Sequence, residues 1–501
     1  MSTYQPRFPL PKLRSRRSHL VPFAIGLLLL FGQTNLTRAI SLWQIVTVDT
    51  DNVGAQLSLA LDAAGNPVIS YLDAVNEDLK LLRCNDHRCS GNDESIQIVD
   101  SLDNVGWHSS LALDAADNPV ISYVDRSNLA LKLVHCNDHS CSGNDESIQT
   151  LDRAGFVGEF ASLRLDRAGY PVISYADTTN GDLKLIHCND PNCSGDDESI
   201  QRIDSEGTVG AYSSLQLDAN GYPVISYFDQ TNFDLKLAHC NDVNCAGNDE
   251  SIQTVDSTDE VGAFTSLILD QAGHPVISYY DTTNSALKLA HCNDTDCRGN
   301  DESIQTVDSS GAVGGHSSLA LNAAGHPIIS YLDAGNGDLK LVRCNDANCS
   351  GNDDQIEVVD SAGQVGSNTS LLLDAAGLPV IAYHDDGNAA LKLARLIEEP
   401  GEFIGSCGGY DVRRTGNRYS ADGWQGAIKV GTTGNDTLIG TRGPTLILGL
   451  AGNDWLRGRG DADLLCGGDG VDFLQGFGGN DLLDGGNDND VLNGGRGDYD
   501  Q

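Results

Sequence analysis

The sequence predicts an all-β chain: a seven-bladed β-propeller followed by a second, finer array. Three observations carry this reading. Val-Gly recurs every 52 residues, at 53, 105, 157, 209, 261, 313 and 365. The seventh copy lacks its last strand, and that strand stands instead before the first Val-Gly. From Gly431 the period drops to nine. Repeats of such lengths are supersecondary units that stack, so the 501 residues need not divide into size-limited domains.

The chain opens on an export segment. Arg14, Arg16 and Arg17 precede an apolar run of 12 residues, Leu20 to Phe31, and Thr37-Arg38-Ala39 offers a small-residue cleavage site. Residues 1–39 therefore read as a signal peptide. The run is too short to span a bilayer, and no transmembrane span is expected in the mature chain. Ser15-Arg16-Arg17 also resembles a twin-arginine signal, although His19 stands where an apolar residue is expected. An uncleaved anchor is the other reading. A formal charge of −40 excludes a nucleic-acid partner, because phosphate binding needs clustered Lys and Arg. It suits a cation-binding protein that is secreted, extracellular or at the cell surface.

Fourteen cysteines in an exported chain imply disulfides. Twelve form six pairs of one spacing: Cys84 with Cys89, Cys136 with Cys141, Cys188 with Cys193, Cys240 with Cys245, Cys292 with Cys297, and Cys344 with Cys349. Four intervening residues suit a bridge across a tight hairpin, stabilising by about 2 kcal/mol each. A two-thiolate metal site is the rival, but zinc wants four ligands. Cys407 and Cys466 remain, either to pair with each other or to stay free.

Within 41–396 the second copy shows the unit. Ser110 to Asp114 alternates as a strand, and Ala115 to Asn118 turns the chain before Pro119. Val120 to Tyr123 is a second strand, Leu131 to Val134 a third and Ile148 to Leu151 a fourth. Four short antiparallel strands in about 50 residues make one propeller blade. Copy seven has Leu396 at the Cys position and no fourth strand, while Trp43 to Asp49 is a fourth strand without a blade. Supplying one to the other closes the ring and removes its free edges. The design resembles other seven-bladed propellers, without a repeated WD dipeptide or a Kelch pattern. The Cys loop lies where sialidase-type propellers carry an Asp box, and its residues do not match that box.

Alternating turns put the Val-Gly and Asp-x-x-Asn loops on one face, and the Pro turns and Cys loops on the other. The first face then holds a variable ring two places after each Gly: Gln56, His108, Phe160, Tyr212, Phe264, His316 and Asn368. Aromatics and amides near a channel mouth are candidates to stack on or hydrogen-bond a glycan or peptide, or else they plug the channel. The acids Asp73, Asp125, Asp177, Asp229, Asp281, Asp333 and Asp385 each precede an Asn by three, which an Asx turn explains. A glycosidase needs two carboxylates in unlike settings, and near-identical blades do not offer them. Glu159 is the only acid directly after a Val-Gly pair. No Gly-x-Ser-x-Gly, His-Glu-x-x-His or phosphate loop occurs.

Residues 397–430 show no period and read as a linker. In the nine-residue array beyond, the sixth position holds Asp436, Asp454, Asp463, Asp472, Asp481 and Asp490, and the eighth holds Leu438, Leu456, Leu465, Leu474, Leu483 and Leu492. This pattern resembles the hemolysin-type calcium-binding repeat of the repeats-in-toxin family, G-G-x-G-x-D-x-U-x. The resemblance implies a parallel β-roll over 431–501, with turns 18 residues apart stacked on one side. Calcium would then sit between Asp436 and Asp454, Asp454 and Asp472, Asp463 and Asp481, and Asp472 and Asp490. Glycines allow carbonyls to turn inward, and Ca²⁺ takes six to eight oxygens. Thr445 replaces one Asp, so one site should be missing there. Tyr499 replaces another, between Asp498 and Asp500. Family members often leave by a C-terminal signal, which the N-terminal segment here puts in question.

The expected function is calcium-dependent, non-catalytic binding or surface association, with a glycan or cell-surface component as partner. The alternatives are an extracellular polysaccharide-active enzyme and a structural matrix or surface component.

Overall fold

The computed structural model describes residues 41–398 and 402–496, apart from 51, 92, 144, 196, 248, 300, 352, 416–417 and 422–423. The export segment and the acids around Tyr499 lie outside the described residues. These residues fall into two compact units, one on either side of 399–401. No helix among them is long and apolar enough to cross a membrane.

The first unit is seven four-stranded antiparallel sheets. In the second blade the strands are Trp107–Leu113, Pro119–Asp125, Ala130–His135 and Ser147–Asp152. Proline opens the second strand of every blade, a place where its missing N–H costs nothing. In blade seven, Val365–Leu373, Pro379–Asp385 and Ala390–Glu398 are completed by Ser41–Asp49, with Trp43 opposite Leu396 and Ile45 opposite Ala394. The ring closes as expected.

The cores lie between blades. Val68, Leu79 and Leu81 of blade one pack against Val105, Leu111, Ile121 and Val134 of blade two. The closing interface repeats this, with Val380, Leu391 and Leu393 against Val53, Leu59 and Ile69. Such packing explains the recurrent Val-Gly. Gly106 has φ +91°, and a Cβ on it would lie 2.9 Å from Leu79 Cα of the preceding blade. Any side chain there would wedge the blades apart.

Two polar systems cross every blade boundary. The Asp ending each fourth strand accepts the phenol of the next blade's Tyr, at 2.6 to 2.9 Å in the pairs Tyr71–Asp49, Tyr123–Asp100, Tyr175–Asp152, Tyr227–Asp204, Tyr279–Asp256, Tyr331–Asp308 and Tyr383–Asp360. The same oxygen takes the ammonium of Lys80, Lys132, Lys184, Lys236, Lys288, Lys340 or Lys392. Nearer the axis, a serine hydroxyl of each blade accepts the N–H of a Leu in the next, from Leu59 on Ser370 round to Leu371 on Ser318. Both systems run unbroken through the closing interface.

All six expected Cys pairs are disulfides in the loops between third and fourth strands. Cys84 is bonded to Cys89, Cys136 to Cys141, Cys188 to Cys193, Cys240 to Cys245, Cys292 to Cys297 and Cys344 to Cys349, with Cα–Cα of 4.9 to 5.0 Å. The expectation of a hairpin with facing cysteines is corrected in one respect. Each bridge closes a single loop turn, outside the strands, rather than tying two paired strands together. Cys89, Cys141, Cys193, Cys245, Cys297 and Cys349 end that turn with φ of 47° to 50°, a left-handed conformation that swings the second sulfur back onto the first. In five of the loops the turn is also closed by a backbone bond. There the N–H groups of Cys89, Cys141, Cys193, Cys245 and Cys349 donate to the carbonyl of the Asp three residues earlier, at 3.3 to 3.4 Å. The donor atoms of Cys84, Cys89 and Glu94 cluster within 4.8 Å, but the two sulfurs are joined, which leaves no thiolate pair for a metal.

In the second unit, the stretch read as a linker has strands of its own and packs on the roll. Glu402–Cys407, Tyr410–Thr415 and Arg418–Ala421 form an antiparallel sheet, and Ala427–Val430 pairs in parallel with Thr445–Ala451. These short strands carry no period because tertiary packing fixes them. Cys407, Val412 and Ala421 share a core with Leu446, Leu448 and Cys466, and Cys407 is bonded to Cys466. Closing 59 residues stabilises by about 4 kcal/mol on the loop-entropy scale. Beyond it, strands alternate between two parallel sheets with neighbours 18 residues apart, as in Leu438 opposite Leu456 and Leu446 opposite Leu464. Leu456, Leu465, Leu474 and Leu483 fill the core. Leu492, in the last strand described, is half exposed rather than buried.

Burial alone would raise the Asp308 carboxyl, but hydrogen bonds from Lys340 and Ser310 outweigh it and hold it at about 2. Asp152, Asp204, Asp256 and Asp360 are lowered in the same way. A depressed folded-state pKa gives stability that is present above the unfolded value of 3.8 and lost as pH falls toward about 2. Urea unfolding of the propeller should therefore show a midpoint that drops steadily below about pH 4. A midpoint constant down to about pH 2.5 would contradict these ties.

Candidate functional site

The roll brings the sixth-position aspartates into two ladders. Asp454, Asp463, Asp472 and Asp481 are buried, while Asp436 and Asp490 at the ends are half-buried. Oδ1 of each except Asp436 accepts the backbone N–H of the residue one coil earlier. Asp436 N–H reaches Asp454 at 2.8 Å, Asp454 reaches Asp472 at 2.7 Å, Asp463 reaches Asp481 at 2.9 Å, and Asp472 reaches Asp490 at 2.9 Å. The structure thus pairs the same aspartates that the 18-residue spacing pairs.

The second oxygen decides what each site can do. Oδ2 of Asp454, Asp463 and Asp472 is buried and has no hydrogen-bond partner. It faces the first glycine of its own repeat and a carbonyl from the next coil. A Cβ on Gly458 would lie 2.5 Å from Asp463 Oδ2 and 2.7 Å from the Gly476 carbonyl oxygen. Gly449 meets Asp454 Oδ2 and the Gly467 carbonyl, and Gly467 meets Asp472 Oδ2 and the Gly485 carbonyl, in the same way. Glycine leaves that space open. Carboxylate and carbonyl oxygens converge on it with no donor between them, a donor set that fits a hard cation. An unpaired buried carboxylate is costly, and burial raises the Asp454 and Asp472 carboxyls. At Asp463 burial, joined by the Asp481 charge against the Thr445 N–H, pushes it up to about 6.

The first rungs differ. Asp436 Oδ2 accepts the N–H and hydroxyl of Thr432, at 2.6 and 2.9 Å. Thr445 accepts the Thr441 N–H in the same place. The chain's own donors occupy both positions. The Thr445 gap was legible in the sequence; the Thr432 cap was not. One further feature escaped sequence reasoning: the fifth-position ladder in which Asn435 and Asn453 accept the N–H of Asn453 and Val471.

On the propeller, Gln56, His108, Phe160, Tyr212, Phe264, His316 and Asn368 line a cavity of about 200 Å³. The five rings form one arc, with centroids 4.6, 4.6, 4.4 and 4.3 Å apart from His108 round to His316. All seven residues have φ between 50° and 56°, a left-handed conformation that bulky residues rarely adopt. Each stands in a bulge of the first strand, which turns its side chain toward the axis. Hydroxyls of Ser109, Ser213, Thr265, Ser317 and Thr369 bond the preceding blade's ring carbonyl and hold that geometry. Burial lowers His108 and His316 to about 4, so at neutral pH the ring carries no charge.

The seven Asp-x-x-Asn acids are turn-formers. Asp125, for example, accepts both the N–H and the side-chain amide of Asn128 at 2.9 Å. Glu159 lies 3.4 Å from Arg126 and 4.0 Å from His108, beside a guanidinium stacked 3.5 Å over Trp107. Ser367, His384 and Asp386 also meet, but Ser367 Oγ and Asp386 Oδ1 both contact Nδ1, at 3.4 and 2.9 Å. A nucleophilic relay needs the two on opposite ring nitrogens.

Residues 430–465, 439–474 and 467–499 match the RTX calcium-binding nonapeptide repeat, 4 copies long. The C-terminal segment is therefore built of RTX calcium-binding repeats. No curated protein matches the chain. Solved structures similar to it include polysaccharide lyase Uly1, at 8% identity and TM-score 0.43 over 68% of this chain and 89% of that one. A point mutant of the NanB sialidase from Streptococcus pneumoniae aligns at 9% and 0.40 over 68% of each chain. The Hadza microbial sialidase Hz136 aligns at 11% and 0.40 over 66% and 73%. Likeness at this level says nothing of chemistry.

Raised carboxyls give the calcium-free RTX roll a pH response opposite to the propeller's. Its protonated form is favoured below the unfolded value of 3.8, and that stability is lost as pH rises through about 6 at Asp463. Without calcium, hydrogen-exchange protection over 445–490 should grow on acidification from about pH 7 to about pH 4.5. Equal or weaker protection at the lower pH would contradict the burial of these carboxyls.

Proposed function

We propose that the chain is exported and that calcium orders its RTX roll, while the propeller binds a neutral glycan at the channel mouth without catalysis. The observation that carries the calcium assignment is the buried Oδ2 of Asp454, Asp463 and Asp472, each facing a glycine carbonyl and no donor. Ca²⁺ supplies the missing charge and draws the remaining oxygens together. Asp436, Asp481 and Asp490 complete the pairs. Asp436 is the weakest member, because Thr432 already occupies its second oxygen. Crowded carboxylates should hold the roll open without the ion. The paired cysteines and the basic–apolar leader support an extracellular setting.

Glycan binding is supported by the ring's composition. It offers aromatic faces, two amides, a phenol and two neutral imidazoles, in a cavity about the size of one sugar. Seven left-handed residues cost of order 1 kcal/mol each, a strain that glycine at these positions would avoid.

Asp472 lies in two pairs, and losing one charge-assisted contact costs about 1.5–3 kcal/mol. Asp472→Ala should therefore weaken calcium binding, followed by calorimetry, at least about tenfold. Unchanged affinity would remove the site assignment. For the propeller, Tyr212→Gly deletes one ring while relieving its backbone strain. Binding of neutral oligosaccharides should vanish with little change in melting temperature. A large fall in melting temperature with no binding by the parent chain would make the ring a plug.

A further inference from the structure

The two sheets of the roll are unlike. One packs under the strands around Cys407 and Val412. The other consists of Thr437–Ile439, Trp455–Arg459, Phe473–Gly478 and Val491–Arg496, and much of it faces solvent. Trp455 is 44% exposed, Phe477 41% and Val491 52%. Thr437, Trp455, Phe473 and Val491 stand in register as one column. The Arg457 guanidinium lies 4.3 Å over the Trp455 ring, and Phe473 meets the indole edge-on at 5.4 Å. Trp455 and Phe473 border a crevice of about 460 Å³ shared with Asn435, Asn453, Asp436 and Asp454.

The charge of this sheet is inverted relative to the protein. Its four strands contain Arg457, Arg459 and Arg496 and no acid, in a chain of net charge −40. Arg457 Nε is buried and has no hydrogen-bond partner. The acids lining the crevice are Asp436 and Asp454, in the rung where bound calcium would cancel their charge.

We propose that the calcium-loaded sheet binds an acidic polysaccharide, with a sugar ring stacked on Trp455 and its carboxylate or sulfate paired with Arg457. The inference rests on the calcium reading of the roll. Indole faces pack against the apolar face of a pyranose, a guanidinium forks onto a planar anion, and the Asn amides offer hydroxyl partners. Arginine already stacked on an indole loses little freedom on pairing. Asn435 and Asn453 line the crevice with amides, which favours a glycan over a membrane surface. Without calcium, Asp436 and Asp454 would repel the same ligand.

The test uses the full chain in calcium, with tryptophan fluorescence and calorimetry. The ligands are a hyaluronan hexasaccharide for carboxylate, a chondroitin sulfate hexasaccharide for sulfate, dextran as the neutral control, given to Tyr212→Gly so that the propeller ring does not contribute, and vesicles containing phosphatidylserine. One or both acidic glycans should bind, and chelation should abolish binding. Trp455→Ala and Arg457→Gln should each weaken it at least about tenfold. Both variants should keep calcium-induced protection over 445–490, since neither side chain is a proposed ligand. Tyr212→Gly on the propeller should bind acidic glycans normally. Binding unchanged in both variants, binding to vesicles instead, or no acidic-glycan binding by a calcium-ordered roll would overturn the proposal. A roll that calcium does not order would overturn the calcium reading first, and this one with it.

Discussion

Both arrays depend on one aspartate per repeat that reaches into the neighbouring repeat, and what its second oxygen meets separates their behaviour. In the propeller, Asp100 Oδ1 accepts its own turn's N–H at Leu102, and Oδ2 accepts Tyr123 and Lys132 of the next blade. The charge is cancelled inside the protein, so a buried carboxylate is tolerated. In the roll, Asp472 Oδ1 accepts the Asp454 N–H and Oδ2 accepts nothing. The same residue type yields a self-sufficient ring in one place and, in the other, a stack whose second carboxylate oxygens are left open to a cation.

That difference sorts the parts of the chain by what they can do. A ring fixed at seven boundaries is rigid enough to hold Phe160, Tyr212 and Phe264 in left-handed backbone, where a looser fold would relax them. Rigid placement of strained side chains about an axis is how a repeated scaffold carries a binding site. The second oxygens of Asp454, Asp463 and Asp472 meet no counter-charge within hydrogen-bond reach, so on the proposed function the roll's order follows the ion, and the surface proposed on it becomes conditional on calcium.

Much of this was legible in the sequence. The 52- and nine-residue periods fixed the blades and the Asp ladders, and Leu396 in place of cysteine pointed to Trp43–Asp49 as the missing strand. The constant Cys spacing named the partners, from Cys136 and Cys141 through Cys344 and Cys349, but not the left-handed turn each bridge closes. What stayed hidden depends on contacts without a period. Lys132 in an alternating Leu-Lys-Leu gives no sign that it is buried on the Asp of another blade. The strands at 402–421 are too short and irregular to read, and they exist because Cys407 and Val412 share a core with Leu446 and Cys466. The ring positions were visible as variable residues, but their positive φ and mutual stacking come from bulges that no local pattern announces. Thr432 looks like any turn threonine until it caps Asp436.

The most direct measurement is a calcium titration of the full chain by calorimetry and circular dichroism, beside a chain ending at Glu398. Only the longer chain should bind calcium and gain β-signal as it does so. Calcium binding by the shorter chain would contradict the account, since it would place the metal on the Asp-x-x-Asn ring of the propeller, whose carboxylates are satisfied by Asn128 and its counterparts.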